Sequence, residues 1–131
     1  MSGKGTEIGD KLQDLRFVYE KVGSKRIGIC LDTCHLWDAG YDLSQFEQFL
    51  ETLKSTKTLE LVRSLHINDS KNLLNSHKDR HENIGKGFIG KKILKKFVHA
   101  KEFDNIIKVL ETPWVNQKPI YKEEIKELKK I

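Results

Sequence analysis

Apolar residues in this chain follow two kinds of pattern that alternate along it. Three short, nearly continuous apolar runs, at residues 27–31, 61–67 and 106–110, predict strands buried on both faces, as in a parallel sheet covered by helices. Between and around them, apolar residues recur every three or four positions, which predicts amphipathic helices. The predicted order is helix, strand, helix, strand, helix, strand, helix. This alternation indicates an α/β fold with about three parallel strands and four helices.

Four groups of apolar residues define the predicted helices. In chain order they are Leu12, Leu15, Val18 and Val22; Leu43, Phe46, Phe49, Leu50 and Leu53; Ile93, Leu94, Phe97 and Val98; and Ile125 and Leu128. Asp42 or Ser44 is expected to cap the second helix, and the third is expected to begin after Gly90. Residues 68–90 remain as one long irregular segment, and a segment of that length in a compact domain is usually functional.

Composition narrows the class of protein. The 131 residues suit one domain, and 37% hydrophobic against 33% charged residues is not a disordered profile. No apolar run is long enough for a membrane span and the first residues lack a signal region, so we expect a soluble, cytoplasmic protein with no membrane partner, nucleoid-associated if bacterial. Two cysteines, Cys30 and Cys34, are expected to be reduced thiols. The net charge of +5 favours a polyanionic partner, although a solvated helix explains the lysines near the end equally well.

Polar residues with metal-binding or catalytic chemistry follow each predicted strand. Asp32 follows the first strand, His66 lies near the end of the second, and Glu111 follows the third. Because the carboxyl ends of parallel strands converge on one rim, these three side chains should meet in space although they are far apart in sequence.

The long irregular segment supplies further candidate ligands. Asp79 and His81 are two residues apart, so in an extended backbone they project to the same side, and His35 lies one turn beyond Asp32. Two imidazoles and a carboxylate leave an open coordination position, as in catalytic zinc sites, with Mn²⁺ and Fe²⁺ as competitors. A satisfied polar group or a helix cap is the alternative interpretation for each residue taken singly. His77 and His99 show no pairing pattern and are expected on the surface.

The stretch from Gly85 to Gly90, GKGFIG, matches the dinucleotide-binding fingerprint GxGxxG by letter. That fingerprint must leave a buried strand directly, whereas here the preceding residues are polar, so we reject a dinucleotide site. The glycines are instead expected to let the backbone approach a phosphate, with the next helix offering its N-terminus.

Four blocks resemble the endonuclease IV family of apurinic/apyrimidinic endonucleases, in the family's order and at about its spacing. They are LDTCHLWDAGYD (31–42), LHINDSK (65–71), HKDRHENIGKGFIG (77–90) and LET (110–112). The resemblance covers nearly the whole chain. It implies a TIM (β/α)8 barrel with three zinc ions at the carboxyl rim. It also implies DNA repair chemistry on double-stranded DNA, in which the phosphodiester 5′ to an abasic site is hydrolysed and 3′ blocking groups are removed in base excision repair.

The resemblance also implies roles for individual residues. His35, Asp79 and His81 would hold one zinc, and Asp32, His66 and Glu111 would hold part of a second, with Asp32 and Glu111 as catalytic residues. From their positions, Asn68 and Lys71 are expected either to orient the ligands or to contact phosphate, and Arg80, Gly85 and Gly87 are expected to contact DNA or phosphate.

The family's remaining ligands, two histidines and a bridging glutamate, come from earlier strands of the barrel. We therefore expect residues 1–131 to be the carboxyl-terminal part of a single TIM-barrel domain, with at most one complete zinc site, inactive alone and able to self-associate through its exposed sheet edges. Two alternatives remain. A metal-dependent sugar isomerase or epimerase of related barrel architecture would act on a free sugar. A non-catalytic fragment would fold only with a partner or not at all and would still bind DNA weakly, and a thermal melt of the isolated chain would distinguish it.

Overall fold

The chain forms three parallel strands flanked by helices. The computed structural model describes all residues 1–131. The main sheet consists of β1 (Ile29–Asp32), β2 (Val62–His66) and β5 (Ile107–Val109), in the order β1-β2-β5. Both neighbouring pairs are parallel, as predicted. A separate antiparallel pair of two-residue strands, β3 (Asp69–Ser70) and β4 (His81–Glu82), lies within the long segment predicted as irregular.

Five helices accompany the strands. They are α1 (Leu12–Val22), α2 (Thr33–Asp38), α3 (Phe46–Ser55), α4 (Lys91–His99) and α5 (Tyr121–Lys129), with short 3-10 turns at Leu59–Leu61 and Lys101–Phe103. Four of the five are the helices that the apolar spacing predicts. No helix combines the length and the apolar character that crossing a bilayer requires.

Helix α2 is the element that the sequence pattern missed. Its six residues are too few to show a helical period, and it follows β1 without a loop. Asp32 makes this abrupt start feasible, because its Oδ1 accepts hydrogen bonds from the N–H groups of Cys34 (2.8 Å) and His35 (3.1 Å). These are N–H groups that a helix N-terminus otherwise leaves without a partner.

The expected cap of α3 is wrong. The helix begins at Phe46, and neither Asp42 nor Ser44 caps it. Asp42 instead accepts hydrogen bonds from the N–H and the hydroxyl of Ser44. These bonds form a local turn that ends one residue before Gln45, the residue at the cap position of the helix. Leu43 is fully buried but lies before the helix.

One aromatic cluster anchors the helices against the sheet. Phe97 of α4 is fully buried, with its ring centroid 5.0 Å from that of Phe46, 5.7 Å from Phe49 and 6.0 Å from Phe103. These distances lie in the range of favourable aromatic pairs. The cluster joins α3, α4 and the turn before β5 into one core.

The expectation that all three strands are buried on both faces is wrong for β5. Its side chains alternate between two faces, and Ile107 and Val109, on one of these faces, are 69% and 41% exposed. The same holds for the apolar stripe of α1, where Val18 and Val22 are exposed. The chain therefore exposes apolar side chains on both β5 and α1.

Candidate metal centre

Three overlapping groups of side chains that could hold a metal ion lie at the carboxyl ends of the parallel strands, and one of them combines Asp32, Cys34 and His81. The other two are the sets that the sequence analysis selected. The first ligand group consists of His35, Asp79 and His81, and the second consists of Asp32, His66 and Glu111. Within each group the potential ligand atoms lie within 4.8 Å of one another. The structure thus brings together all six residues that the sequence analysis selected, in the same two sets.

In the first ligand group, helix α2 and strand β4 approach each other. His35 Nε2 lies 2.9 Å from Asp79 Oδ1, and His81 Nε2 lies 3.7 Å from the same oxygen. His35 is on α2, whereas Asp79 lies just before β4 and His81 begins it.

In the second ligand group, the sheet register sets the distances. Asp32 and His66 are partners in the pairing of β1 with β2, and Glu111 lies just beyond β5. His66 Nδ1 is 2.9 Å from Glu111 Oε2 and 3.6 Å from Asp32 Oδ2.

Asp32 connects the two ligand groups. Its Oδ2 lies 3.6 Å from His66 Nδ1 in one group and 3.6 Å from His81 Nε2 in the other. The same oxygen accepts a hydrogen bond from the Asn68 side-chain amide at 2.8 Å, while Oδ1 caps α2. The Asp32 carboxylate is buried, so its position is set by these contacts.

The Nε2 atom of His81 is a buried nitrogen without a hydrogen-bond partner. His81 Nδ1 lies 3.1 Å from the carbonyl oxygen of Glu111, which can only accept, so Nδ1 carries a proton, and in the neutral imidazole Nε2 presents a lone pair. The atoms facing that lone pair are oxygens of Asp32 and Asp79, at 3.6 Å and 3.7 Å, too far for N–H···O bonds. A nitrogen lone pair between two carboxylates is unfavourable unless a proton or a metal ion lies among them.

Asn68 lies behind the proposed ligands, so of its two expected roles the structure favours orienting them over contact with a phosphate. It is fully buried, and its side-chain oxygen accepts the Glu111 N–H at 2.8 Å while its amide donates to Asp32. Its own N–H donates to the Thr33 hydroxyl at 2.8 Å. Asn68 therefore fixes the distance between two members of the second ligand group.

The glycines of the 85–90 stretch also have a different partner from the one expected. The N–H groups of Gly85 and Gly87 donate to the carboxylate of Asp69, at 2.9 Å and 3.2 Å, so they do not face an open phosphate site. Ile89 and Gly90 donate to the same carboxylate. A Cβ on Gly87 would collide with the Ser70 carbonyl and lie 2.6 Å from Asp69 Oδ1, so only glycine permits this approach.

The remaining sequence-selected residues have distinct positions. Lys71 and Arg80 are exposed beside the first ligand group. Lys71 follows β3 and Arg80 precedes β4, and the Lys71 N–H donates a hydrogen bond to the Arg80 carbonyl. His99 is exposed as expected, with Nε2 2.8 Å from the Leu128 carbonyl. His77 is half-buried rather than on the open surface, because its ring packs under the N-terminal segment with Nδ1 3.0 Å from the Ser2 carbonyl.

Sequence reasoning missed three buried carboxylates. Asp38, Asp69 and Glu124 are buried, and none forms an ion pair with a basic side chain. No spacing rule reveals them, because their partners are backbone N–H groups, hydroxyls and a side-chain amide. Cys34 is a buried free thiol near Asp32 and His81; burial, and then the charge of Asp38, raise its pKa to about 12, so it is protonated at neutral pH.

Comparison with known proteins identifies the family. Residues 1–131 match a family model described as "Xylose isomerase-like TIM barrel". The chain belongs to this family. Among curated relatives it resembles proteins named "Probable endonuclease 4", with 56% identity over 128 residues to that of Mycoplasmopsis synoviae (98% of this chain, 46% of the relative) and 55% over 126 residues to that of Mycoplasma mobile (96% and 45%).

The fold agrees with this assignment. The crystal structure of endonuclease IV from Thermus thermophilus superposes with a TM-score of 0.79 at 28% identity, over 97% of this chain and 48% of that structure. The resemblance to the endonuclease IV family and the interpretation as a partial TIM barrel are therefore confirmed. The chain spans about half the length of the curated relatives it matches, and it corresponds to their carboxyl-terminal portion.

Removing the Asp69 carboxylate should release the segment that carries Asp79 and His81. Asp69→Ala leaves the N–H groups of Gly85, Gly87, Ile89 and Gly90 without their acceptor, which should lower the free energy of unfolding by about 3 kcal/mol. Denaturant titration measures this loss, and faster tryptic cleavage after Lys78, Arg80 and Lys86 would locate it. Asp104→Ala, which alters an exposed aspartate, is the control. Equal behaviour of the two variants would contradict the role given to Asp69.

Proposed function

We propose that residues 1–131 form the carboxyl-terminal part of a zinc-dependent apurinic/apyrimidinic endonuclease domain. The whole enzyme would hydrolyse the phosphodiester 5′ to an abasic site in double-stranded DNA and remove 3′ blocking groups. The observation that carries this proposal is the buried lone pair of His81 Nε2, which faces two carboxylates and therefore calls for a cation. The names of the relatives and of the superposed structure supply the reaction class.

The donor atoms suit zinc. The first ligand group offers two imidazole nitrogens and one carboxylate oxygen, a set that zinc accepts while keeping a coordination position for water or substrate. The second ligand group offers one imidazole and two carboxylates, which Zn²⁺, Mn²⁺ or Fe²⁺ can share. Bound zinc would stabilise charge on phosphoryl oxygens and lower the pKa of a water molecule.

The protein's own residues would orient the ligands and bring in the DNA. His81 donates from Nδ1 to the Glu111 carbonyl, which directs its Nε2 lone pair towards Asp32 and Asp79. Asn68 holds Asp32 and the backbone of Glu111 together. The exposed side chains of Lys71 and Arg80 beside the first ligand group supply positive charge for a phosphate backbone.

A sugar isomerase or epimerase of related architecture is the less favoured interpretation. The family description covers barrels of that kind, but the relatives with 55–56% identity are named as endonucleases. The two adjacent ligand groups, joined through Asp32, also suit phosphodiester chemistry, in which neighbouring metals stabilise attacking and leaving oxygens.

Zinc binding tests the metal proposal directly. Because the first ligand group is complete within the chain, we expect close to one zinc per molecule, and His81→Ala should remove most of this binding. Binding should weaken as the pH falls, since protons compete with the ion for imidazole nitrogens. Elemental analysis after dialysis and titration against a competing chelator provide the measurement. His99→Ala is the matched control; equal loss in both variants would show that the first ligand group does not hold the zinc.

DNA binding tests the partner. Lys71→Ala and Arg80→Ala should each weaken binding to an abasic duplex and reduce the slope of log K against log salt by about 1. Lys25→Ala is the control, because this exposed lysine precedes β1 and so lies towards the opposite ends of the strands. An equal effect of Lys25→Ala would assign binding to net charge alone. Cleavage of abasic DNA by residues 1–131 alone should stay near background. Robust zinc-dependent cleavage by this chain would show that the six proposed ligands suffice.

The exposed face of β5 supports the expected self-association through sheet edges. Ile107 and Val109 are apolar and exposed on an edge strand, a combination that favours contact with a second copy of the chain. Ile107→Lys should shift sedimentation towards the monomer, whereas Ile131→Lys, at the exposed carboxyl terminus, should not. A parent chain that sediments as a monomer at all concentrations would overturn this expectation.

A further inference from the structure

The backbone before β4 runs along the end of helix α2 in an unusual conformation. Asn75, His77 and Asp79 have positive φ angles of 64°, 54° and 57°, which place every second residue of this segment in the left-handed region. Residues other than glycine adopt that backbone conformation only at an energetic cost, which is smallest for Asn and Asp. Three such residues in alternation require an interaction that offsets this cost.

The N–H groups of these residues supply that interaction. Asn75 donates to the Trp37 carbonyl and His77 to the Asp38 carbonyl, both at 3.0 Å, and Asp79 donates to the Asp38 side chain at 2.7 Å. A helix end leaves carbonyl groups without intrahelical partners, and the first two bonds satisfy two of them. The third bond is made by a side chain, so it is the one that depends on residue identity.

Asp38 is a buried carboxylate each of whose oxygens accepts one hydrogen bond. Its side chain is fully buried, with one oxygen accepting the Asp79 N–H and the other accepting the Ser70 hydroxyl at 2.7 Å. It forms no ion pair with a lysine, arginine or histidine. Burying a carboxylate is costly unless its oxygens are satisfied, so both hydrogen bonds are needed to offset the burial of Asp38.

We propose that Asp38 is a positioning residue for the first ligand group. It holds Asp79 in its left-handed conformation and thereby keeps Asp79 Oδ1 2.9 Å from His35 Nε2. Because His35 lies on the same helix as Asp38, α2 sets the position of both ligands, one directly and the other through this hydrogen bond. The inference rests on the proposed function, since it assigns Asp38 a part in holding the ion.

Two substitutions separate the hydrogen bond from the charge. An asparagine at this position can still accept the Asp79 N–H and can donate its amide to the Ser70 oxygen, whereas alanine can do neither. Asp38→Ala should therefore weaken zinc affinity about 10-fold or more, while Asp38→Asn should stay close to the parent. Leu53→Ala, a truncation of a fully buried leucine on α3, is the control for general loss of stability.

The experiment uses the full chain and two measurements. Zinc affinity is obtained by competition with a chelator, and exchange of the Asp79 amide hydrogen is followed by NMR in the metal-free chain. We expect that exchange to be slow in the parent and in Asp38→Asn and fast in Asp38→Ala, with Leu53→Ala retaining the parent's zinc affinity under conditions where it is folded.

The outcomes distinguish the two proposals. A parent chain that binds no zinc removes the proposed function and this inference together. A parent that binds zinc, with Asp38→Ala binding equally well, overturns the role of Asp38 alone. Unchanged Asp79 exchange in Asp38→Ala overturns it as well, because the hydrogen bond would then not be what holds the ligand.

Discussion

The Asp69 carboxylate organises the segment on which the rest of the rim depends. It is fully buried, and it accepts N–H groups from Gly85, Gly87, Ile89 and Gly90, so that the long segment after β2 closes around one side chain. A buried carboxylate is tolerated only when its oxygens are satisfied, and the N-terminus of α4 adds favourable dipoles next to it. Without it, residues 85–90 would lose their shared acceptor, and the part of the segment that follows Asp79 and His81 would be held less firmly.

Two further buried carboxylates act on the same segment. Asp38 holds the Asp79 N–H, and Glu124 of α5 accepts the Ile84 N–H at 2.9 Å and the Asn83 amide at 3.1 Å. Glu124 also accepts from the Thr112 hydroxyl next to Glu111. The segment is therefore held from three elements, α2, β3 and α5, and each contact lies within a few residues of a proposed ligand. The positions of the proposed ligands at the rim are thus set by backbone N–H groups of the segment that donate to carboxylates on these three elements.

The negative charge of the carboxylates at this rim would attract a cation. Asp32, Asp79 and Glu111 converge with three histidines, and the buried Nε2 of His81 points between two of the carboxylates. This arrangement is unfavourable in the absence of a cation and favourable with one, so metal binding and the order of the rim should be coupled. Exposed apolar residues on β5 and α1 add a second feature of this surface, and one of them, Val109, pairs with His66 in the sheet.

Apolar periodicity determined four helices and three strands, because burial of one face imposes the same spacing wherever it occurs. The alternation of these elements determined that Asp32, His66 and Glu111 share one rim. Other features depended on tertiary contacts. Asp32 caps helix α2, and Asn68 is enclosed by Asp32, Thr33 and Glu111 instead of lying on an open surface. The glycines of 85–90 surround Asp69 instead of a phosphate, since the acceptor comes from a residue sixteen positions earlier. Such partners are long-range pairs of backbone and side chain, and they leave no periodic signal in the sequence.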